Sequence, residues 1–303
     1  MTAQRIRSLR RPLPLTMFAM LAATLVVPAH AGETPPPAPQ IAATGVAQIN
    51  LTPRRVVFDR SKRTEAIYVF NQGNTAVTVD VALIDNVMLS SGEIVPLARV
   101  AEKGPEAEAI AATVRSARPL IVAAPSRLTL APGQGKTVRL RTTLPDTADG
   151  AEYRTHLTVT TVPPADTGLT AEQAAAVGRG ELVLRIQSVF GVSIPLIVRN
   201  GTQPASATLD GFAAETTPDG QALALTIGRS GAGSLYGNIE VRAGKDEIVG
   251  LVRGIGVYPE IAGRRALVPL MRPLRRGETV TVRYFAEDSR QGEAMASGIF
   301  TAN

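Results

Sequence analysis

Cysteine is missing from all 303 residues, and tryptophan with it. The first absence excludes thiol nucleophiles, Cys-ligated zinc, iron–sulfur clusters and a disulfide framework. The second, with aromatics at only 4%, leaves little with which to stack bases or sugars. Histidine is nearly absent too, with His30 and His156 the only two. A Ser-His-Asp triad or a multi-His metal site has almost nothing to draw on. No catalytic group, metal site or cofactor site is therefore assigned. What is present is apolar: 45% hydrophobic against 19% charged residues, enough for a packed core and too apolar for global disorder. The length fits two average domains.

The net charge of +6 depends on the first thirty residues. Arg5, Arg7, Arg10 and Arg11 form a basic start, an apolar run follows from Met17 to Val27, and Ala29-His30-Ala31 supplies a small-x-small cleavage pattern. These are the parts of a secretory signal peptide over residues 1–31, and the run is too short to span a membrane comfortably. Removing its four arginines brings +6 down to +2 for the rest. A nucleic-acid role thereby loses its electrostatic support, and no membrane insertion is expected after cleavage.

After a Pro-rich linker over residues 32–45, with Pro35-Pro36-Pro37-Ala38-Pro39 as a stiff exposed stretch, short alternating runs begin. Ile49–Phe58 and Glu65–Phe70 read as strands, Asn71-Gln72-Gly73-Asn74 as a turn, and Val77, Val79, Val81 and Leu83 alternate after it. Leu120–Val122, Val138–Arg141 and Tyr153–Thr161 continue the series, with Pro132-Gly133 and Pro145-Asp146 as turns. Pro105–Arg118 is Ala- and Glu-rich and suits a short helix. Thr170–Gln173 has capping-box spacing inside a long loop, 162–180. The pattern restarts after Arg199-Asn200-Gly201, with strands at Ala207–Phe212, Ala222–Ile227, Leu235–Arg242, Ile248–Tyr258, Ala266–Leu270, Thr279–Ala286 and Gly298–Thr301. The reading is all-β: two Ig-like antiparallel β-sandwich domains in tandem around a cleft, over residues 46–200 and 201–303.

The clearest period-2 signal runs through residues 182–195. Its even positions are Leu182, Leu184, Ile186, Ser188, Phe190, Val192 and Ile194, with Ser188 the one polar member. Two readings compete. The row fills the first sandwich's own core, or part of it faces outward for a partner. A long apolar edge strand is an aggregation hazard that proteins suppress, unless a partner is meant to cap it.

Several features together resemble the PapD-like periplasmic pilus chaperones. They are the Leu51–Phe58 strand with an Arg in its middle, the Pro132-Gly133 turn before Val138–Leu140, and the strand running through Ile194 to Arg199. Asp149-x-Ala151-x-Tyr153 also looks like the tyrosine corner of Ig-like sandwiches. The resemblance covers residues 45–200 well and the remainder in pattern only. It implies a chaperone that lends a strand to a pilus or fimbrial subunit and delivers it to an outer-membrane usher, without ATP or cofactor. By this resemblance Leu182, Leu184, Ile186, Ser188 and Phe190 are the donated row, Arg55 anchors the subunit's C-terminal carboxylate, and Arg199 is the interdomain arginine. Two positions depart from the family: Pro195 stands where it carries an anchoring Lys, and Ala131 where an acidic partner for Arg199 is expected. The implied location is the periplasm, and self-association is a way for the free chain to hide its apolar strand. The competing reading is an exported structural or adhesive protein of two Ig-like domains. Its N-terminal segment 32–48 is Pro- and Ala-rich, not an alternating donor extension.

Some features carry less. His156 reads as a packed or surface strand residue, and Asp59, Asp80 and Asp85 lack calcium-loop spacing. Arg264-Arg265 and Arg272, Arg275 and Arg276 form a basic cluster that reads by default as a solvated face, with docking to an acidic partner as the alternative.

Overall fold

The computed structural model of the chain describes residues 48–144, 150–163, 188–245, 247–287 and 293–303, with four isolated positions between 164 and 187. Two β-sandwiches follow one another along the chain. The first begins with β1 (Ile49–Thr52), β2 (Val56–Phe58), β3 (Thr64–Asn71) and β4 (Val77–Ile84). A hairpin of β5 (Asn86–Met88) and β6 (Ile94–Pro96) leads to a 3₁₀ turn, Leu97–Lys103, and to helix α1 (Pro105–Ala111). β7 (Ile121–Ala124), β8 (Arg127–Leu130), β9 (Gly135–Thr142), β10 (Glu152–Val162) and β11 (Gly191–Arg199) complete it.

Its sheets run β1-β3-β9-β7 and β2-β11-β10-β4-β8. With β1 and β2 taken as one strand that changes sheets, these are the A-B-E-D and A′-G-F-C orders of an immunoglobulin-type sandwich, with β8 added at the edge beyond β4. Alternation accounts for the packing. Val69, Val79, Leu140, Leu157, Val159, Ile194, Leu196 and Val198 turn inward to one core, while their strand neighbours turn outward.

The second sandwich consists of β12 (Ala205–Thr217), β13 (Gly220–Gly231), β14 (Leu235–Ala243), β15 (Glu247–Val257), β16 (Gly263–Pro269), β17 (Thr279–Ala286) and β18 (Ala294–Thr301). Its sheets run β12-β13-β16 and β15-β14-β17-β18. Leu223, Leu225, Ile239, Val241, Val280, Val282 and Tyr284 lie between them. Met88 and Ile197 of the first sandwich belong to the same apolar cluster, and Val57 and Ile110 pack against it. An apolar seam therefore joins the two sandwiches. No helix among the described residues is long and apolar enough to cross a membrane.

Two strand readings need correction. The Ile49–Phe58 run is not one strand. It breaks at Pro53-Arg54-Arg55, so that β1 pairs with β3 in one sheet and β2 runs parallel to β11 in the other. Proline has no N–H to offer the ladder, and the break lets a single segment serve both sheets. The 182–195 strand also has different bounds: its described part starts at Gly191 and continues to Arg199. Ser188 and Phe190 precede it outside regular structure. Leu182, Leu184 and Ile186 lie outside the described residues, as do the signal segment 1–31, the linker 32–45, Thr170–Gln173 and Asp149.

Candidate functional site: an arginine-lined cleft beside an open strand edge

β11 is where the two readings of the apolar row meet. Ile194 is only 3% exposed, with Leu196 and Val198 buried beyond it, so this end of the row fills the first sandwich's core. Phe190, in the same phase, is 40% exposed. The change from inward to outward use falls between these two residues. Phe190 still holds to β10: its N–H donates to Thr161 Oγ1 at 2.9 Å, and the Thr161 N–H donates to its carbonyl at 2.8 Å. Along β11, β10 pairs with Gly191–Arg199, whereas β2 covers only Leu196–Val198. Among the described residues, Gly191–Pro195 therefore presents one unpaired edge.

That edge opens into a cleft of about 930 Å³ between the two sandwiches. The first wall is the outer face of the β4-β10-β11 sheet with the β5–β6 hairpin, and the second wall comes from the starts of β14 and β16 and the end of β15. Arg54, Arg55, Arg253 and Arg264 line it, and no Asp or Glu does so among the described residues.

Arg55 sits in the break between β1 and β2, which releases its side chain from the ladder into the cleft. Its guanidinium carbon lies 4.5 Å from the Tyr236 ring centroid, a cation–π contact supplied by the second sandwich. Its Nε is shut off from water and has no hydrogen-bond partner. Burial holds its pKa below the ordinary arginine value, with Tyr258 opposing and Arg199 adding to the fall. This cation is half-desolvated, held by an aromatic ring, and without a carboxylate in ion-pair range among the described residues.

Pro195 is half-buried in the first wall and supplies neither charge nor N–H. Directly across the ladder from it stands His156, 3% exposed, whose Nδ1 has no partner. Burial, with the Arg154 charge nearby, pushes the His156 pKa down to about 3, so the ring is neutral near pH 7. The sequence reading left His156 as either a packed or a surface strand residue, and the structure buries it. It did not place the residue in the cleft wall.

Arg199 does reach the second sandwich. Its Nε donates to Glu152 Oε2 at 3.0 Å and its Nη2 to Ser234 Oγ at 3.3 Å, while the Ser234 N–H donates to the same Glu152 oxygen at 3.1 Å. Glu152 stands opposite Arg199 in the β10–β11 register, so this ion pair lies within the first sandwich and Ser234 makes the link to the second. A second link has no forerunner in the sequence reading. Arg154 and Glu260 form an ion pair with both side chains 4% exposed. The Met88 N–H donates to Glu260 Oε1 at 2.9 Å, Arg154 Nη2 to the Asn86 carbonyl at 2.9 Å, and the Arg154 guanidinium stacks 3.7 Å over Tyr258. The alternation of Arg154 and His156 shows that they share one face of β10, but nothing in the sequence says that the second sandwich covers that face.

The basic run of the second half is not one solvated face. Arg265 pairs with Glu215 and Arg272 with Glu247 and Glu278 on the surface, whereas Arg264 turns into the cleft. Among the described residues no group of three His, Asp or Glu is placed to hold a metal ion.

No protein-family model matches the chain, and no curated protein matches it in sequence. Solved structures do resemble it. The YadV chaperone is 14% identical over 84% of this chain and 98% of its own, with a TM-score of 0.42. The E. coli chaperone DraB is 16% identical over 85% and 96%, with a TM-score of 0.40. A Salmonella enterica SafA pilin–SafB chaperone complex matches at 15% identity over 86% and 98%, with a TM-score of 0.42.

Proposed function

We propose that the protein is a periplasmic chaperone for pilus or fimbrial subunits, acting by donor strand complementation and handing its client to an outer-membrane usher. The observation that carries this reading is the open edge at Gly191–Pro195 leading into a cleft whose only charged lining groups, among the described residues, are arginines. An unpaired edge is a template for one more strand, and a cationic cleft at its end takes that strand's terminal carboxylate. Backbone hydrogen bonds set the register of such a client, and the row Leu182, Leu184, Ile186, Ser188 and Phe190 supplies the side chains for its groove. Each buried Leu, Ile or Phe of that row contributes about 1.5–3 kcal/mol before ordering costs. In this reading residues 1–31 direct export, 32–45 are a linker, and 46–200 and 201–303 are the two domains. Arg55 is the anchor, Arg199 ties the domains together, and the free chain self-associates when no client is present.

The test is purification from the native periplasm of cells making pili, with intact-mass analysis of what comes along. Small subunits at one-to-one stoichiometry, absent when an Ile186→Asp variant is used, support the reading. A chain that purifies alone overturns it in favour of an exported structural protein.

A further inference from the structure

We infer that the second cation of the anchor is Arg264, contributed by the second sandwich, so that a bound carboxylate bridges the two sandwiches. The inference rests on the proposed capture of a polypeptide's C-terminal carboxylate in this cleft and goes beyond it by assigning the partner of Arg55. On the first wall, the position beside Arg55 that would supply a second charge is Pro195, and the imidazole across from it is neutral. Among the described residues the one other charge on that wall is Arg54, which is exposed. The second wall is different.

Arg264 starts β16 on the same side as Ala266 and Val268, the two core residues that follow it, so strand alternation directs it inward at the edge of the core. Its Nη1 donates to the Gly256 carbonyl at 2.7 Å, while its buried Nε has no partner. The side chain also packs against the hairpin turn: a Cβ at Gly92 would fall 2.5 Å from Arg264 Nε, and φ of +88° there suits glycine alone. The guanidinium is therefore fixed before any ligand arrives, partly desolvated and, among the described residues, without a carboxylate. Burial keeps its pKa below the ordinary arginine value. Burial raises the Tyr284 hydroxyl pKa, while Arg264 and Arg55 both act to lower it, so one buried group feels both cations. Two fixed arginines from opposite walls offer a carboxylate forked donors on both sides. Arg253 adds charge at the exposed rim.

The experiment uses the full exported chain and two synthetic probes: an N-acetylated alternating Val/Thr nonapeptide with a free C-terminal carboxylate, and the same peptide amidated. Affinities are measured calorimetrically for the wild type and for Arg55→Gln, Arg264→Gln, Arg264→Lys and, as control, Arg265→Gln, each with its unfolding midpoint. The wild type is expected to prefer the acid about ten-fold, and Arg264→Gln to remove that preference as fully as Arg55→Gln does. Affinity for the amide should be unchanged, Arg264→Lys should recover part of the preference, and Arg265→Gln should behave as wild type. If Arg55→Gln abolishes the preference and Arg264→Gln does not, the anchor lies on the first sandwich alone: the inference fails while carboxylate capture stands. A wild type that binds acid and amide equally, or neither, overturns carboxylate capture itself and the inference with it. Should Arg264→Gln lower the unfolding midpoint, Arg264→Lys decides: a partly recovered acid preference with an unshifted midpoint supports the assignment, and an unaltered wild-type preference in Arg264→Gln protein that is still folded at the assay temperature overturns it.

Discussion

Individual charged side chains in this protein differ widely in what they contribute, and burial decides the difference. Arg127 and Asp80 pair on the surface, with side chains 62% and 45% exposed, whereas Arg154 and Glu260 pair at 4% each. Asp80→Ala is expected to leave the stability close to that of the wild type. Glu260→Ala leaves a buried guanidinium uncompensated, with Nε and Nη1 already lacking partners, and is expected to cost about 3–5 kcal/mol. Urea unfolding of the two variants checks the contrast. His156 adds a pH dependence. In the unfolded chain its imidazole takes a proton below the ordinary 6.5, and in the folded protein only below about 3. Between these values the unfolded state binds more protons, so stability falls as pH drops from 6.5 toward 3, by at most about 1.4 kcal/mol per pH unit from this residue. His156→Gln should flatten that part of the acid limb in equilibrium unfolding measured at a series of pH values. An unchanged slope would mean that the ring gains water or a partner on protonation.

At the level of strands, close approach and edge exposure set the constraints. A Cβ on Gly237 of β14 would lie 2.1 Å from the Phe285 carbonyl of the paired β17, an atom that cannot move without breaking the ladder. A Cβ on Gly135 of β9 would meet the Tyr68 ring at 2.0 Å, but that ring is 47% exposed and can turn away. Gly237→Ala should therefore destabilise by several-fold more than Gly135→Ala, about 3 against under 1 kcal/mol, in thermal or denaturant unfolding. β11 carries both a core constraint and, under the proposed function, a client-binding one. Its even positions from Ile194 onward belong to the core, so Ile194→Asp should unfold the first sandwich. Ile186→Asp should leave the fold intact and abolish subunit binding, as read by circular dichroism alongside co-purification. Loss of the native spectrum in Ile186→Asp would assign that residue to the protein's own core.

For the molecule as a whole, the apolar seam and the two polar links make the relation between the sandwiches a property of packing. Ile197 is fully buried and lies on the face of β11 opposite Leu196 and Val198, within the second sandwich's cluster. Glu260 and Ser234 of the second sandwich bond to groups of the first on either side of it. The two halves are expected to unfold in one calorimetric transition. Ile197→Ala should cost about 2–5 kcal/mol and separate that transition into two. A single unshifted transition in this variant would show that the polar links alone couple the halves. The same coupling keeps the cleft walls at a fixed spacing, which a carboxylate held between Arg55 and Arg264 requires.

Periodicity and turn residues made the all-β architecture readable from the sequence. Thr279–Ala286 was bounded as β17 is, and Ala222–Ile227, Leu235–Arg242 and Ile248–Tyr258 fell within a few residues of β13, β14 and β15. Alternating side chains report their two faces directly, and glycine and proline mark where a ladder must end. The resemblance to pilus chaperones, not the periodicity, singled out Arg55 and Arg199, and it could not supply their surroundings. Tyr236 over Arg55, Glu152 beside Arg199 and Glu260 on Arg154 are paired by folding across 181, 47 and 106 residues of chain. A period-2 pattern says which residues share a face and nothing about what covers it. Arg264 and Arg265 show this most simply. Adjacent in sequence, they looked like one basic patch, yet consecutive residues of a strand point to opposite sides. Only the tertiary structure decided that one side is solvent and the other is the cleft, because that depends on the second sandwich packing its strand ends against the first.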